Sequence, residues 1–268
     1  MGLKDLSGAT ALLTGASSGL GPHIARRLHR DGVRFILSAR REEELKKLAA
    51  ELDGARVIVA DLSRRGGAEE LAEEAGEVDL LIANAGVPAS GRLVGFAPER
   101  EIDTALVVNL RSAIMLARLL LPGMLARGRG HLVFMSSLAG KVAQANSSLY
   151  AATKFGLRGF GLALHEELKG TGVGASVICP TYVRESGMWA EAGLKAPAAA
   201  GEVSPVQVAE AVQRAIREDL AEVDVAPLRA RVGVRLAAAA PRLARAVTRR
   251  SGAAEFSEEA VDRQKHKR

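Results

Sequence analysis

The chain has a single cysteine, Cys179, among its 268 residues. One thiol forms no internal disulfide, and nothing points to an oxidising compartment. Cys179 lies in the strand-like run from Ala175 and reads as core filler. The five histidines show no metal-ligand spacing, so no metal is expected. No apolar run reaches the roughly 20 residues of a membrane span; the longest, Ala105 to Leu121, is broken by Asn109, Arg111, Ser112 and Arg118. Met1 to Leu6 lacks the apolar stretch of a signal peptide, and Gly2 has no Ser or Thr at position six, which sets myristoylation aside. A cytoplasmic protein is the expectation. Acids are missing from residues 229–250, which hold seven arginines. With +6 overall, +7 from that segment and zero from residues 251–268, residues 1–228 carry −1. A near-neutral body argues against a nucleic-acid binder. What is present, 48% apolar and 25% charged residues, suits one large globular domain.

Strand-like and helical runs alternate along that body. Ala9 to Thr14 is a short apolar run, followed by a glycine-rich turn and a helical pattern through Ile24, Leu28 and His29. Further strands are expected at Arg34–Ala39, Arg56–Ala60, Val78–Ala83, His131–Met135, Gly174–Cys179 and Glu222–Ala226. Helices are expected at Glu42–Leu52, Ala68–Ala75, Glu99–Leu121, Tyr150–Leu168 and Pro205–Leu220. The alternation predicts an α/β fold, a single Rossmann-type doubly wound parallel sheet of about seven strands with helices on both faces. The body is taken as residues 1–227 and a basic helical extension as 228–268. In such sheets ligands sit beyond the carboxyl ends of the strands. The glycine turn, Arg40, Asp61, Asn84, Ser137 and Pro180 all follow strands, and Tyr150 opens the helix after the fifth.

Within that edge three groups carry chemistry. Gly15, Gly19 and Gly21, with Ser17, Ser18 and Leu20 between them, form a turn that lets backbone approach a pyrophosphate at a helix N-terminus. After the second strand an acid would bind a ribose 2′-hydroxyl, and an arginine a 2′-phosphate. Here Ala39 holds the acid position and Arg40 follows it, which favours NADP(H) over NAD(H). The plain alternative for Arg40 and Arg41 is the solvated start of a helix. Tyr150 and Lys154 are four residues apart on one helix face. A free phenol has a pKa of about 10. A lysine cation beside it is expected to lower that value, so that the pair exchanges a proton with a carbonyl or alcohol oxygen.

Together these residues resemble the classical short-chain dehydrogenases/reductases over about residues 5–226. Thr14 to Gly21 is similar to that family's Thr-Gly-x-x-x-Gly-x-Gly turn, and Asp61-Leu62 to its adenine contact. Asn84-Ala85-Gly86 is similar to its Asn-Asn-Ala-Gly, with Ala83 in place of the first Asn. Asn109, Ser137, Tyr150 and Lys154 stand 28, 13 and 4 residues apart, as in its catalytic tetrad. The resemblance implies hydride transfer between a nicotinamide and a carbonyl or secondary alcohol, in a homodimer or homotetramer built on the helices containing Asn109 and Tyr150. It implies that Tyr150 is the proton donor or acceptor and that Lys154 tunes it and binds the nicotinamide ribose. Ser137 would stabilise the substrate oxygen, with Ser136 its competitor. Asn109 would hold a water linking Lys154 to solvent; without the resemblance, an Asn flanked by Val108 and Leu110 reads as a satisfied polar core residue. Pro180 and Val183 would complete the cofactor site. Two positions depart from the pattern: Thr181 stands for a Gly, and Glu185, followed by Ser186, for a Thr that touches the nicotinamide.

The substrate is expected to be an apolar ketone, aldehyde or alcohol, because the loop from Pro180 to Gly201 offers Tyr182, Met188, Trp189 and Leu194 as lining. Rival readings are an NAD-dependent alcohol dehydrogenase of the same family and a non-catalytic dinucleotide-responsive binding protein. From Leu228 to Arg250 the chain reads as helical, broken near Pro241. Leu228, Val232, Leu236, Ala239 and Leu243 fall on one stripe, and Arg231, Arg235, Arg242, Arg245 and Arg249 on the next. Such a tail either lies peripherally on an anionic membrane surface or packs on protein with its arginines solvated.

Overall fold

The computed structural model describes residues 3, 5–187, 193, 196 and 200–240. Met188, Trp189 and Leu194 lie outside the described residues, as do Pro241, the arginines after it and residues 251–268.

Seven strands form one parallel sheet. In chain order they are β1 (Thr10–Thr14), β2 (Arg34–Ala39), β3 (Arg56–Val59), β4 (Leu80–Ala83), β5 (Gly130–Met135), β6 (Val173–Pro180) and, at the far edge, Glu222–Val225. Every residue of β4, β5 and β6 is buried. That continuous burial, without polar alternation, is what helices on both faces require. On one face the core joins helix α1 (Gly21–His29), α2 (Glu42–Glu51) and Pro205–Glu218. On the other it joins α3 (Gly67–Ala75), the helix Pro98–Arg127 (α4) and α5 (Ser148–Glu167). Strand boundaries match the expected ones to within two residues.

The sheet order places β3, β2 and β1 on one side and β4, β5, β6 and the last strand on the other. The chain moves outward from β1, then returns to start again beside it, which leaves a crevice at the carboxyl ends of β1 and β4. Thr14 closes the base of this crevice. Its Oγ1 accepts bonds from the backbone amides of Asn84 and Ala85, both at 3.1 Å.

Three features were not expected. Helix α4 is longer than the pattern suggested and contains two π-helical stretches, Pro98–Asp103 and Val107–Arg111. It is also long and apolar enough to span a membrane by composition. Its residues Leu116, Ala117, Leu120 and Met124, however, are buried in the core beneath the sheet. The loop after β6 holds a short parallel pair, β7 (Tyr182–Val183) with β8 (Glu202–Val203). Beyond β8 come α6 (Pro205–Glu218), opened by a Ser204–Gln207 capping box, the edge strand β9 (Glu222–Val225), and α7 (Leu228–Ala239).

Candidate active site

The strand ends and the turns after them enclose a cleft of about 530 Å³. Gly15, Ser17, Ser18, Gly19, Leu20, Arg40, Asp61, Leu62, Asn84, Ala85, Gly86, Ser137, Tyr150, Lys154, Pro180 and Val183 all line it. Of the described residues expected at the site, Gly21, Asn109 and Tyr182 do not line it.

The floor of the cleft is the glycine turn. Gly15 has φ +66°, and a methyl group there would sit 2.8 Å from the Cα of Ala85. Only glycine meets both demands. Gly21 lies behind the turn, where a methyl group would stand 2.5 Å from the carbonyl oxygen of Gly15. Its part is to let α1 start tight against the turn, and it supports the cradle without facing the cleft. Asn84 is likewise a strap: its Nδ2 donates to the carbonyls of Thr14 at 3.0 Å and Gly15 at 3.1 Å.

At the end of β2 both arginines line the cleft. Arg41, which the sequence suggested only as a solvated helix start, reaches across to the glycine turn. Its Nη2 donates to the Ser17 carbonyl at 2.9 Å and its Nε to Ser17 Oγ at 3.3 Å. Ser38 is buried beside them with its hydroxyl unpartnered in the cleft wall. Asp61 accepts from the amide and hydroxyl of Ser63 at 2.9 and 2.7 Å. Burial raises its pKa, but the Ser63 bonds and the charges of Arg40 and Arg64 outweigh that and leave it lowered.

Helix α5 and the turn after β5 supply the candidate reactive groups, Tyr150, Lys154 and Ser137. Lys154 is buried, and its Nζ donates to the Met135 carbonyl at 2.9 Å. Burial lowers its pKa to about 8, with Cys179 pulling weakly the other way. Burial raises the Tyr150 phenol to about 12, while a side-chain bond with Ser137 pulls it down. This corrects the expectation that Lys154 lowers it. The ammonium lies 5.6 Å from the centre of the Tyr150 ring, against the π face, and in the protein alone desolvation dominates. Ser137 also accepts from Ala139 N at 3.1 Å. Its competitor Ser136 is spent on the fold, donating to the Lys154 carbonyl at 2.9 Å.

Asn109 sits in the second π-helical stretch and is buried. Its Oδ1 accepts from Val87 N at 2.7 Å and its Nδ2 donates to Val87 O at 3.0 Å. The side chain therefore pins the loop after β4, as a satisfied polar core residue does. It still borders the reactive group, since a methyl on Gly86 would lie 3.4 Å from Asn109 Oδ1 and 3.9 Å from Lys154 Nζ.

Tyr182 stands on β7 with its hydroxyl 3.4 Å from Gln144 Oε1. It raises the Tyr150 pKa slightly, which puts it on the Tyr150 side of the site. Glu185 has φ +67°. Ser186 turns inward, and its hydroxyl donates to the Gly19 carbonyl at 2.7 Å. The loop after β6 thus closes over the glycine turn through the residue after the one that departs from the pattern. Cys179, Glu222 and Asp224 form a cluster of metal-ligand type. Lys141 bonds both acids and Arg158 bonds Glu222, so cations of the chain already fill it.

The residues present fit a dinucleotide. The turn has the glycine cradle, the cleft wall has an unpartnered hydroxyl and two arginines, and an ionised carboxylate stands at the end of β3. Fold and cleft define a Rossmann-type protein with a Tyr–Lys pair in the wall of its cleft. A family model for short chain dehydrogenases matches residues 9–197. HetN of Nostoc sp., named a ketoacyl reductase, is 38% identical over 231 residues, covering 83% of this chain and 80% of its own. A metagenomic short-chain oxidoreductase in complex with NADP is 32% identical with a TM-score of 0.70, covering 82% of this chain and 97% of its own. An actinorhodin polyketide ketoreductase with NADPH is 31% identical with a TM-score of 0.72, covering 84% of this chain and 97% of its own. The chain belongs to the short-chain dehydrogenase family of NAD(P)-dependent oxidoreductases.

Proposed function

We propose that the protein is an NADP(H)-dependent reductase of an apolar ketone or aldehyde, running in reverse on the corresponding alcohol. The observation that carries the cofactor choice is at the end of β2, where Ala39 holds the acid position and Arg40 and Arg41 both line the cleft. An acid there would repel a 2′-phosphate, whereas guanidinium forks match it. The relatives named as ketoacyl and polyketide ketoreductases favour a carbonyl carried on an acyl chain.

The dinucleotide, when bound, supplies or accepts the hydride at its nicotinamide ring. The chain's residues handle the proton and the charge. Tyr150, held protonated by burial, donates its phenolic proton to the substrate oxygen as that oxygen gains charge. Ser137 donates a hydrogen bond to the same oxygen. Lys154, mostly cationic at neutral pH, stabilises the phenolate left behind and is placed to bind the nicotinamide ribose. Asn109 positions Val87 and the loop bordering the pair. Pro180 and Val183 cover the nicotinamide end, Ser186 closes over the glycine turn, and Tyr182 walls the substrate side. The homodimer or homotetramer implied by the family is part of this reading, supported by exposed Leu106, Leu119 and Phe155 on α4 and α5.

The test is fluorescence titration with NADPH and NADH at fixed salt, followed by turnover of apolar carbonyls by the native protein and Tyr150→Phe. NADPH is expected to bind at least tenfold tighter. Tyr150→Phe is expected to abolish turnover with cofactor affinity nearly unchanged. Equal or tighter NADH binding would move the reading to an NAD-dependent alcohol dehydrogenase. Cofactor binding with no turnover by the native protein would favour a dinucleotide-responsive binding protein.

A further inference from the structure

Helix α7 presents an apolar stripe to solvent. Leu228, Val232 and Leu236 are 72%, 45% and 63% exposed, although they repeat every four residues as a packed helix face would. The opposite side is the one that docks, through buried Ala230. At about 100° per residue the three apolar side chains span about 80° of arc, and Arg229 and Arg235 stand about 20° outside its two borders. A single exposed leucine needs no explanation. A stripe edged on both sides by arginine is the arrangement of a helix lying in the plane of a bilayer interface.

The stripe's position adds to this. The helix starts three residues after Val225, the end of the edge strand, so it leaves from the same sheet edge as the cleft. Thr181, which lines the cleft, donates its amide to Val225 O at 3.0 Å. Gly201 packs against Pro227, where a methyl group would stand 2.8 Å from the Pro227 ring. The stripe is therefore tied to the two ends of the loop that closes the cleft.

Charge selects the occupant. Residues 225–254 contain seven arginines and no acid. A second copy seated on this face across a two-fold axis would bring both sets of Arg229 and Arg235 together. Residues 241–250 of the same chain carry four more arginines and offer no complement. An anionic lipid surface complements every charge and takes up the apolar stripe.

We infer that α7 binds the surface of an anionic bilayer through Leu228, Val232 and Leu236, with Arg229 and Arg235 on the phosphates, and so holds the cleft edge at the membrane. This stands apart from the cofactor preference, and its test has a separate readout. The full chain is floated with vesicles of phosphatidylcholine and phosphatidylglycerol mixed at roughly two to one, and with phosphatidylcholine alone. Flotation with the anionic vesicles only is expected, weakening as salt rises. Leu228→Ser/Leu236→Ser is expected to lower the bound fraction at least tenfold, with NADPH affinity and native mass unchanged. Arg229→Gln/Arg235→Gln is expected to weaken binding and flatten the salt dependence. No flotation, equal flotation with neutral vesicles, or native-like binding by the leucine variant would overturn the inference. So would a fall in native mass of that variant, which would make the stripe a subunit contact.

Discussion

Replacing Asn84 by alanine separates two roles that one residue could hold, ligand contact and internal strap. Its Nδ2 makes two hydrogen bonds, to the carbonyls of Thr14 and Gly15. A neutral bond of this kind contributes about 1 kcal/mol net, and a partly buried carbonyl left unpaired costs a further 1 kcal/mol or so. The two bonds together put the loss of stability at about 2–4 kcal/mol, the upper figure with both carbonyls left unpaired. The amide of residue 84 keeps its bond to Thr14 Oγ1, so the end of β4 stays in place. What loosens is the glycine turn. Its φ of +66° at Gly15 and close packing on Ala85 leave it one productive shape. If the turn holds that shape in one molecule in ten without its strap, NADPH affinity falls about tenfold, or about 1.4 kcal/mol. The assay is urea unfolding of native and Asn84→Ala protein, each with and without saturating NADPH, alongside direct titration. A stability loss below about 0.5 kcal/mol with the same tenfold loss of affinity would refute the strap, and would make Asn84 a direct cofactor contact.

Two further predictions concern pH. Lys154, lowered to about 8 by burial, is cationic below that value and neutral above it. Tyr150, raised to about 12, stays protonated throughout. Reductive kcat/KM should therefore fall as pH rises through about 8, and a fall centred near 10 would show that burial does not lower Lys154 from the ordinary lysine value. On the opposite edge of the sheet, His131 is fully buried, with Nε2 2.8 Å from Ser176 Oγ and Nδ1 unpartnered 3.9 Å from Asp219. Burial lowers its pKa from 6.5 to about 4. The unfolded chain takes up that proton first, so stability is full above 6.5 and is lost as pH falls towards 4, by about 2 kcal/mol between pH 7.5 and 5. Urea midpoints across that range, compared with His131→Gln, check it; equal slopes for the two proteins would refute it.

The sheet was legible because buried parallel strands are short continuous apolar runs, and the strand ends then placed Arg40, Asp61, Asn84 and Ser137 on one edge by topology alone. What escaped was held in tertiary geometry. A two-residue pair such as β7 with β8 has no periodicity to read. The π-helical stretches of α4 keep their apolar residues in a helical rhythm while their bonds shift, so a pattern of 3.6 conceals them. Arg41 and Arg40 are neighbours of one type, and nothing in their order says which of them bonds Ser17. Asn84 and Asn109 could be placed near the site by spacing, but whether each faces the cleft or straps a backbone depends on which carbonyls lie beside it. Trp189 and Met188 lie outside the described residues, so the substrate lining inferred from them rests on sequence.

The Tyr150 pKa shows why spacing alone misjudged the chemistry. Four residues of helix do bring Lys154 to Tyr150, and an ammonium beside a phenolic oxygen would favour the phenolate. In the fold the lysine is drawn to the Met135 carbonyl, with its ammonium 5.6 Å from the centre of the Tyr150 ring. Burial then disfavours charge on both groups, raising the tyrosine and lowering the lysine. The result is an acid held ready rather than a base. In the reductive direction this is the useful state, because the proton must be present when charge arrives on the substrate oxygen. The lysine's cation is needed only afterwards, to stabilise the phenolate that remains. Without its cofactor the protein therefore holds Tyr150 as the protonated acid that the proposed reduction calls for.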